Sequence, residues 1–469
     1  MCLQPQVCRL LKGMGVIMKV LWLCNVMMPM IAEQLQLEAS NKEGWLSGLA
    51  AVTLQRKDEN GIELGVAFPA PAELLADGQE TFERGITVQG TALNCYGFRE
   101  DVTRPEIYDE GLEKRMQEIL EAFRPDIVHC FGTEYPHALA MCRCVPDKSR
   151  LLVGVQGLCT LIADAYFADL PEKVIHSVTL RDIIRRDSFV QQKEKFVKRG
   201  IMELEAVKLA GNIAGRTEWD RVNTQKWNPN ACYYVLDETL RQNFYGAVWD
   251  GEKCVPHSIF VSQGDYPIKG LHYMLKALPE ILEKYPDARV FVAGNSLVSY
   301  GTFKEKLKIS AYGKYLRRLI CENRIQDKVV FLGRLNAEQM KEQYLRSSVF
   351  VCCSAVENSP NSLGEAMLLG MPCVSADVGG IPSIFTGGED GILYRGHAEG
   401  KDNNNGCNFE NISKNLADSV IEIWENMETT ERYCKNARKH AEKTHDRERN
   451  YKQMTEIYAK MLARVEGRA

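Results

Sequence analysis

Nine short apolar runs recur along the chain and alternate with stretches of helical periodicity: residues 20–24, 126–130, 151–155, 211–214, 258–261, 290–293, 329–332, 349–353 and 373–375. Short runs that stay apolar along their length suit strands buried on both faces, and the helical patterns between them supply the covers. That order predicts α/β domains built on parallel sheets. A chain of 469 residues with 45% hydrophobic residues has material for two cores, so two domains are expected. The turn-rich segment 246–256, with Asp250-Gly251 and a closing Pro256, puts the boundary near mid-chain. Ligands in such sheets bind outside the carboxyl ends of the strands, which predicts an active site in the cleft between the halves.

A formal net charge of −4 gives no global attraction to nucleic acid, so an anionic ligand has to be met by a local cluster of positive charge. The sixteen cysteines are scattered and often lie inside apolar runs, as Cys24, Cys352, Cys353 and Cys373 do. They read as buried thiols of a reducing compartment, hence a cytoplasmic protein. Cys142 and Cys144 lack a second pair at zinc-ligand spacing and read as two thiols on a helix. The apolar stretch 16–31 is interrupted by Lys19, Asn25 and Pro29 and is too short to span a bilayer. It reads as a first buried strand, with residues 1–17 an appendage or a start-site artefact. Over 177–209 Arg181, Arg185, Arg186, Lys193, Lys195, Lys198 and Arg199 accumulate, while Val197, Ile201, Leu204 and Val207 follow helical spacing toward a core. The basic face is either plainly solvated or a docking surface for an anionic lipid headgroup or lipid diphosphate, making peripheral membrane contact. Residues 402–406 read as a short polar loop.

The chemistry concentrates where the strand 349–353 runs into a loop and then a helix from about Ser362 to Leu369, stopped by Gly370 and Pro372. A helix start offers backbone amides and the positive end of the dipole, which suits phosphate. Glu357 on the loop and Glu365 in the first helical turn would repel a phosphate, so both are expected to serve sugar hydroxyls. Glu365 suits the vicinal hydroxyls of a ribose. Ser362-Leu363-Gly364-Glu365 equally matches a capping box, in which the glutamate only folds back on the helix start.

The run from Ser354 to Met367, followed by Gly370-Met371-Pro372-Cys373-Val374 and Gly379-Gly380-Ile381-Pro382, resembles the family 4 retaining glycosyltransferases of the GT-B fold and their E-x7-E signature. The resemblance implies two Rossmann-like domains facing a central cleft: an acceptor-side domain over 18–245 and a nucleotide-sugar donor domain over 257–430. A C-terminal helix, 431–469, would cross back to the first. It further implies Glu357 beside the donor sugar, Glu365 on the ribose, and the amides of Asn361, Ser362 and Leu363 on the diphosphate.

Ile259-Phe260-Val261-Ser262-Gln263-Gly264 before Asp265-Tyr266-Pro267-Ile268-Lys269-Gly270 resembles the family's cationic loop, which makes Lys269 the diphosphate ligand. Gly264 stands where the family usually carries a second cation, an arginine. By the same likeness Arg334 lies near the base or is an ordinary surface arginine, and Gly44 approaches the donor or is a plain turn. His129 lines the cleft near the donor sugar, and Glu134 and His137 meet the acceptor. Arg216 and Glu218 form a family-like stretch or an ion pair at the domain junction.

The function so implied is transfer from a nucleotide-diphosphate-sugar to a saccharide or lipid-linked hydroxyl, with retention, in polysaccharide or glycolipid assembly. No cofactor, metal or nucleic acid is expected. The alternatives are a nucleotide-sugar epimerase of similar fold and a catalytically silent nucleotide-sugar-binding partner.

Overall fold

The computed structural model describes residues 17–37, 44–295, 308–397, 409–465 and 467. The readings made above for 1–16 and 402–406 lie outside these residues. The chain forms two compact units. The first comprises residues 1–160, 197–241 and 444–469, and the second 161–196 and 242–443. Against the expected domains, residues 161–196 fall in the second unit, and the C-terminal return begins at Thr444 instead of 431.

The first unit holds eight strands: β1 (Met18–Cys24), β2 (Ile62–Pro69), β3 (Thr81–Val88), β4 (Thr91–Phe98), β5 (Ile127–Phe131), β6 (Leu151–Gly154), β7 (Asn212–Gly215) and β8 (Cys232–Val235). They lie in the order β3-β4-β2-β1-β5-β6-β7-β8. All pair in parallel except β3, which joins β4 as an antiparallel hairpin through Gln89 and Gly90, both at positive φ. Such a two-residue turn matches the twist of the strands it joins. Apolar side chains of β1 and β2, including Trp22 and Phe68, share a core with Met454, Ile457 and Tyr458 of the helix Arg447–Val465. The expected single C-terminal helix is two, Met427–Thr444 and Arg447–Val465, and the break falls where the chain re-enters the first unit.

The second unit carries six parallel strands: β9 (Ser258–Val261), β10 (Arg289–Ala293), β11 (Val329–Gly333), β12 (Val349–Cys352), β13 (Cys373–Asp377) and β14 (Ile392–Arg395). Their order is β11-β10-β9-β12-β13-β14, so the winding reverses between β9 and β12. This is the strand order of a dinucleotide-binding sheet, and its switch point is where such sheets take their ligands. In the first unit the corresponding reversal lies between β1 and β5.

Along 177–209 the phase of the core face differs from the one expected. Val207 is buried, Leu204 half-buried, and Val197 and Ile201 are exposed. The helix Phe189–Leu209 instead turns Glu203, Ala206 and Val207 inward. Nor do Arg216 and Glu218 pair with each other: Arg216 pairs with Glu238, and Glu218 with Arg221 one turn along its helix.

Candidate functional site

At the switch point of the second unit, the loops leaving β9 and β12 are knitted together. The Ala355 amide donates to the Ile268 carbonyl at 2.7 Å. Gly270, at φ +70, lies so near the Cys353 carbonyl that a Cβ there would sit 1.7 Å from its oxygen. This junction brings Lys269 to Glu357: Nζ donates to Oε1 at 2.6 Å, and Ser354 Oγ donates to the same oxygen at 2.7 Å. Burial works against the Lys269 charge, but the Glu357 carboxylate outweighs it and lifts the ammonium above its ordinary range. The Glu357 loop is pinned from behind by Gly379 and Gly380. The Gly380 amide donates to the Glu357 carbonyl at 2.9 Å, and a Cβ on Gly379, at φ +54, would come within 2.1 Å of that carbonyl oxygen.

The helix beyond this loop spans Asn361–Leu369, with Pro360 as its N-cap residue. Ser362 is therefore inside the helix, and the capping-box alternative for Glu365 fails: the cap carries no side-chain hydrogen bond. Glu365 is the fifth helical residue, past the expected first turn, and only 3% exposed. It stands four positions after Asn361, on the same helix face, and helical side chains lean toward the N-terminus. The Leu363 amide already donates to Pro360 at 3.0 Å, so Asn361 and Ser362 are the residues whose amides lie ahead of the helix's own bonding. Tyr344 Oη holds the Ser362 carbonyl at 2.9 Å and fixes this end.

Gly264 cannot be exchanged for an arginine without displacement. A Cβ there would lie 2.6 Å from Leu271 Cδ2 and 3.0 Å from Val292 Cγ1. Arg334 is tied into the same strand ends: its Nε donates to Asn295 Oδ1 at 2.6 Å, and Asn295 Nδ2 donates to Asp265 Oδ2 at 2.7 Å. Burial raises the Asp265 carboxyl, against the hydrogen bonds of Asn295 and the charge of Arg334. Asp265 and Asn295 were missed from sequence, although Asp265 directly follows the position where the second cation was sought.

In the first unit the strand ends gather a second polar group. His137 places Nδ1 2.6 Å from Glu100 Oε2 and Nε2 3.1 Å from Asn25 Oδ1, and it is buried. Glu134 Oε1 accepts from the Gly157 amide at 3.0 Å, while Oε2 is buried with no hydrogen bond among the described residues. Behind them Glu203 accepts from Thr133 Oγ1, the Cys159 and Thr160 amides and Thr160 Oγ1, at 2.9 to 3.1 Å. Its burial pushes the carboxyl up to about 7 against those four donors. No motif pointed to Glu203, Glu100 or Asn25.

His129, expected to line a ligand surface, is enclosed instead. It is 0% exposed in the middle of β5, with Nδ1 2.8 Å from Tyr458 Oη, which also accepts from Trp22 Nε1 at 3.0 Å. Burial lowers its pKa to about 3, so the ring is neutral. Gly44 opens the helix Gly44–Gln55. Among the described residues no group of three or more His, Cys, Asp or Glu side chains could hold a metal ion, and no helix is long and apolar enough to cross a membrane.

Residues 256–440 match the family described as "Glycosyl transferases group 1", which supports a glycosyltransferase. The chain is 26% identical over 194 residues to spore coat protein SA of Bacillus subtilis, across 41% of this chain and 46% of that protein. It is 32% identical over 145 residues to an uncharacterized glycosyltransferase of Methanocaldococcus jannaschii, across 31% and 32%. Each match thus spans less than half of the relative's own length. Among solved structures, sucrose-phosphate synthase from Thermosynechococcus elongatus superposes with a TM-score of 0.61 at 14% identity, over 95% of this chain and 99% of that one. Anabaena HepE in complex with UDP and glucose superposes with a TM-score of 0.58 at 14% identity, over 94% and 98%. These likenesses establish the GT-B fold of two Rossmann-like domains.

Proposed function

We propose that this chain is a retaining glycosyltransferase that moves a sugar from a nucleotide-diphosphate-sugar to a hydroxyl acceptor without a metal ion. The observation that carries the reading is the convergence of Lys269, Glu357 and the start of the helix Asn361–Leu369 at one switch point of a parallel sheet. As the glycosidic bond to the diphosphate breaks, negative charge grows on the leaving phosphate. Lys269 and the amides of Asn361 and Ser362 stabilise it there, which is why no metal is required in this reading. Glu357 accepts from hydroxyls of the donor sugar and Glu365 from the ribose. The base lies toward Arg334, and the acceptor contact is assigned to Glu134; His137, expected there too, is buried with both ring nitrogens bonded to Glu100 and Asn25 and holds that corner. Support for a nucleotide-sugar comes from HepE, whose structure holds UDP and glucose. The acceptor is a saccharide or lipid-linked hydroxyl.

The test is a panel of nucleotide sugars screened for a rise in melting temperature, followed by turnover with a chelator present and NMR of the product anomer. A true donor stabilises by mass action. Stabilisation lost in Lys269→Ala, chelator-insensitive turnover and a retained anomer are the expected results; an inverted product rules out the retaining mechanism. The closed space at Gly264 favours one second reading, a silent nucleotide-sugar-binding partner, because it leaves Lys269 without the family's other cation. Nucleotide binding without turnover on any acceptor, in the parent and Glu357→Gln alike, would select it. Donor isomerisation without an acceptor would select an epimerase.

A further inference from the structure

We infer that residues 178–190 of the second unit form a docking surface for an anionic lipid bilayer. Five of the exposed large apolar side chains among the described residues fall within this span: Val178, Leu180, Ile183, Ile184 and Val190, with Ile183 64% and Ile184 73% exposed. Exposed apolar residues scattered singly are normal, whereas a cluster marks an interaction site. Arg185 and Arg186 follow the two isoleucines directly and are exposed. Neither forms an ion pair among the described residues, whereas Arg181 is held by Asp182 and Asp187 at 3.1 and 3.0 Å. The basic stretch noted in the sequence thus narrows to two free guanidiniums beside an apolar tip.

The tip is firmly mounted. Thr179 and Asp182 form a capping box at the start of the short helix Leu180–Arg185, and buried Asp182 also accepts from the Ala311 amide at 3.0 Å. Upstream, Asp169 Oδ2 accepts from Tyr273 Oη at 2.7 Å and lies 2.8 Å from His397 Nδ1, while His272 Nε2 lies 2.8 Å from the Ala168 carbonyl. A segment fastened this closely has its inward apolar residues, Val174, Ile175 and Phe189, already buried. The outward ones have no place in the fold.

Charge decides the occupant. Residues 172–201 carry eight Lys and Arg against four Asp and Glu, in a chain of net charge −4. A second copy docked about a twofold axis would set Arg185 and Arg186 near their own counterparts. A bilayer with anionic headgroups takes the isoleucines at the acyl boundary and the guanidiniums at the phosphates. This inference stands apart from the transferase reading, since its readout is binding alone.

The test is sedimentation of the full chain with vesicles of phosphatidylcholine, with and without phosphatidylglycerol. Binding is expected only to the mixed vesicles and is weakened by salt. Removing both guanidiniums in Arg185→Gln/Arg186→Gln should weaken it about thirtyfold, from roughly fivefold per basic residue at an anionic surface. Ile183→Ser/Ile184→Ser should weaken it about tenfold at low salt, where the arginines still act. All four positions are exposed, so both variants should melt with the parent. No binding to the mixed vesicles, or equal binding by parent and variants, overturns the proposal. So does a concentration-dependent dimer abolished by Ile183→Ser/Ile184→Ser without vesicle binding, which assigns the tip to a second copy.

Discussion

At the scale of single residues, the pairing of Lys269 with Glu357 separates binding from chemistry. Glu357 Oε1 already takes hydrogen bonds from Lys269 and Ser354, so a diphosphate must compete with the carboxylate for the ammonium. Neutralising it in Glu357→Gln frees Lys269. Affinity for a bare nucleoside diphosphate should be held or rise, while turnover falls by about 10²–10³, as for loss of one preorganised polar group. Calorimetric titration beside initial rates reads both, and unchanged turnover would remove Glu357 from the mechanism. Gly264→Arg offers a complementary check on the cation. The new side chain must displace Leu271 and Val292, so it should cost about 1–3 kcal/mol of stability, as overpacking does, without raising turnover. A stable, faster Gly264→Arg enzyme would show that the family's second cation fits after all.

At the scale of elements, Glu203 shows why parts of the site could not be read from sequence. The helix Phe189–Leu209 has apolar residues at 197, 201, 204 and 207, a regular stripe, yet its buried face is turned toward Glu203, Ala206 and Val207. Four donors from Thr133, Cys159 and Thr160 make that burial tolerable, and they come from segments distant in sequence, which periodicity cannot register. Glu203→Gln puts an amide NH2 opposite one of two backbone N–H groups. It should therefore destabilise by roughly 1–3 kcal/mol in urea unfolding, and a neutral result would mean the carboxylate is not the organiser of this corner. The nine strands expected from apolar runs are all present. The strands not anticipated include β3, whose apolar Phe82, Ile86 and Val88 are separated by polar or exposed residues and so give no such run, and β8, at the other edge of the sheet. At the donor site, Lys269 and Glu357 were legible because a short loop after each strand fixes its position. The surroundings of Asp265 and Arg334 depend on Asn295, which a third strand supplies.

At the scale of the whole molecule, the buried titratable groups make the two units respond differently to acid. His129 in the first unit and His272 in the second are both neutral, pushed down by burial to about 3 and about 4. An unfolded histidine takes up its proton near 6.5, so between there and the folded values the unfolded chain binds more protons. The stability each contributes is therefore nearly complete well above pH 6.5 and is lost as pH falls through it, at about 1 kcal/mol between pH 6.5 and 5.5. Glu203 in the first unit runs the other way. Raised to about 7, it contributes stability that is full below its unfolded value of about 4.5 and is lost as pH rises through 7. Between pH 6.5 and 5.5 it regains about 1 kcal/mol, offsetting His129; in the second unit burial also raises Asp187 and Asp265, but from an aspartate's lower starting value of 3.8, so they offset His272 less. The second unit should thus be the acid-sensitive one. Hydrogen exchange at pH 7 and pH 5.5 should show protection falling in β9 to β14 and holding in β1 to β8. His272→Gln should flatten that difference, at some cost in stability at pH 7 because His272 bridges Tyr312 and Ala168. Equal loss in both units, or a wild-type slope retained by His272→Gln, would show that His272 is not the group that titrates.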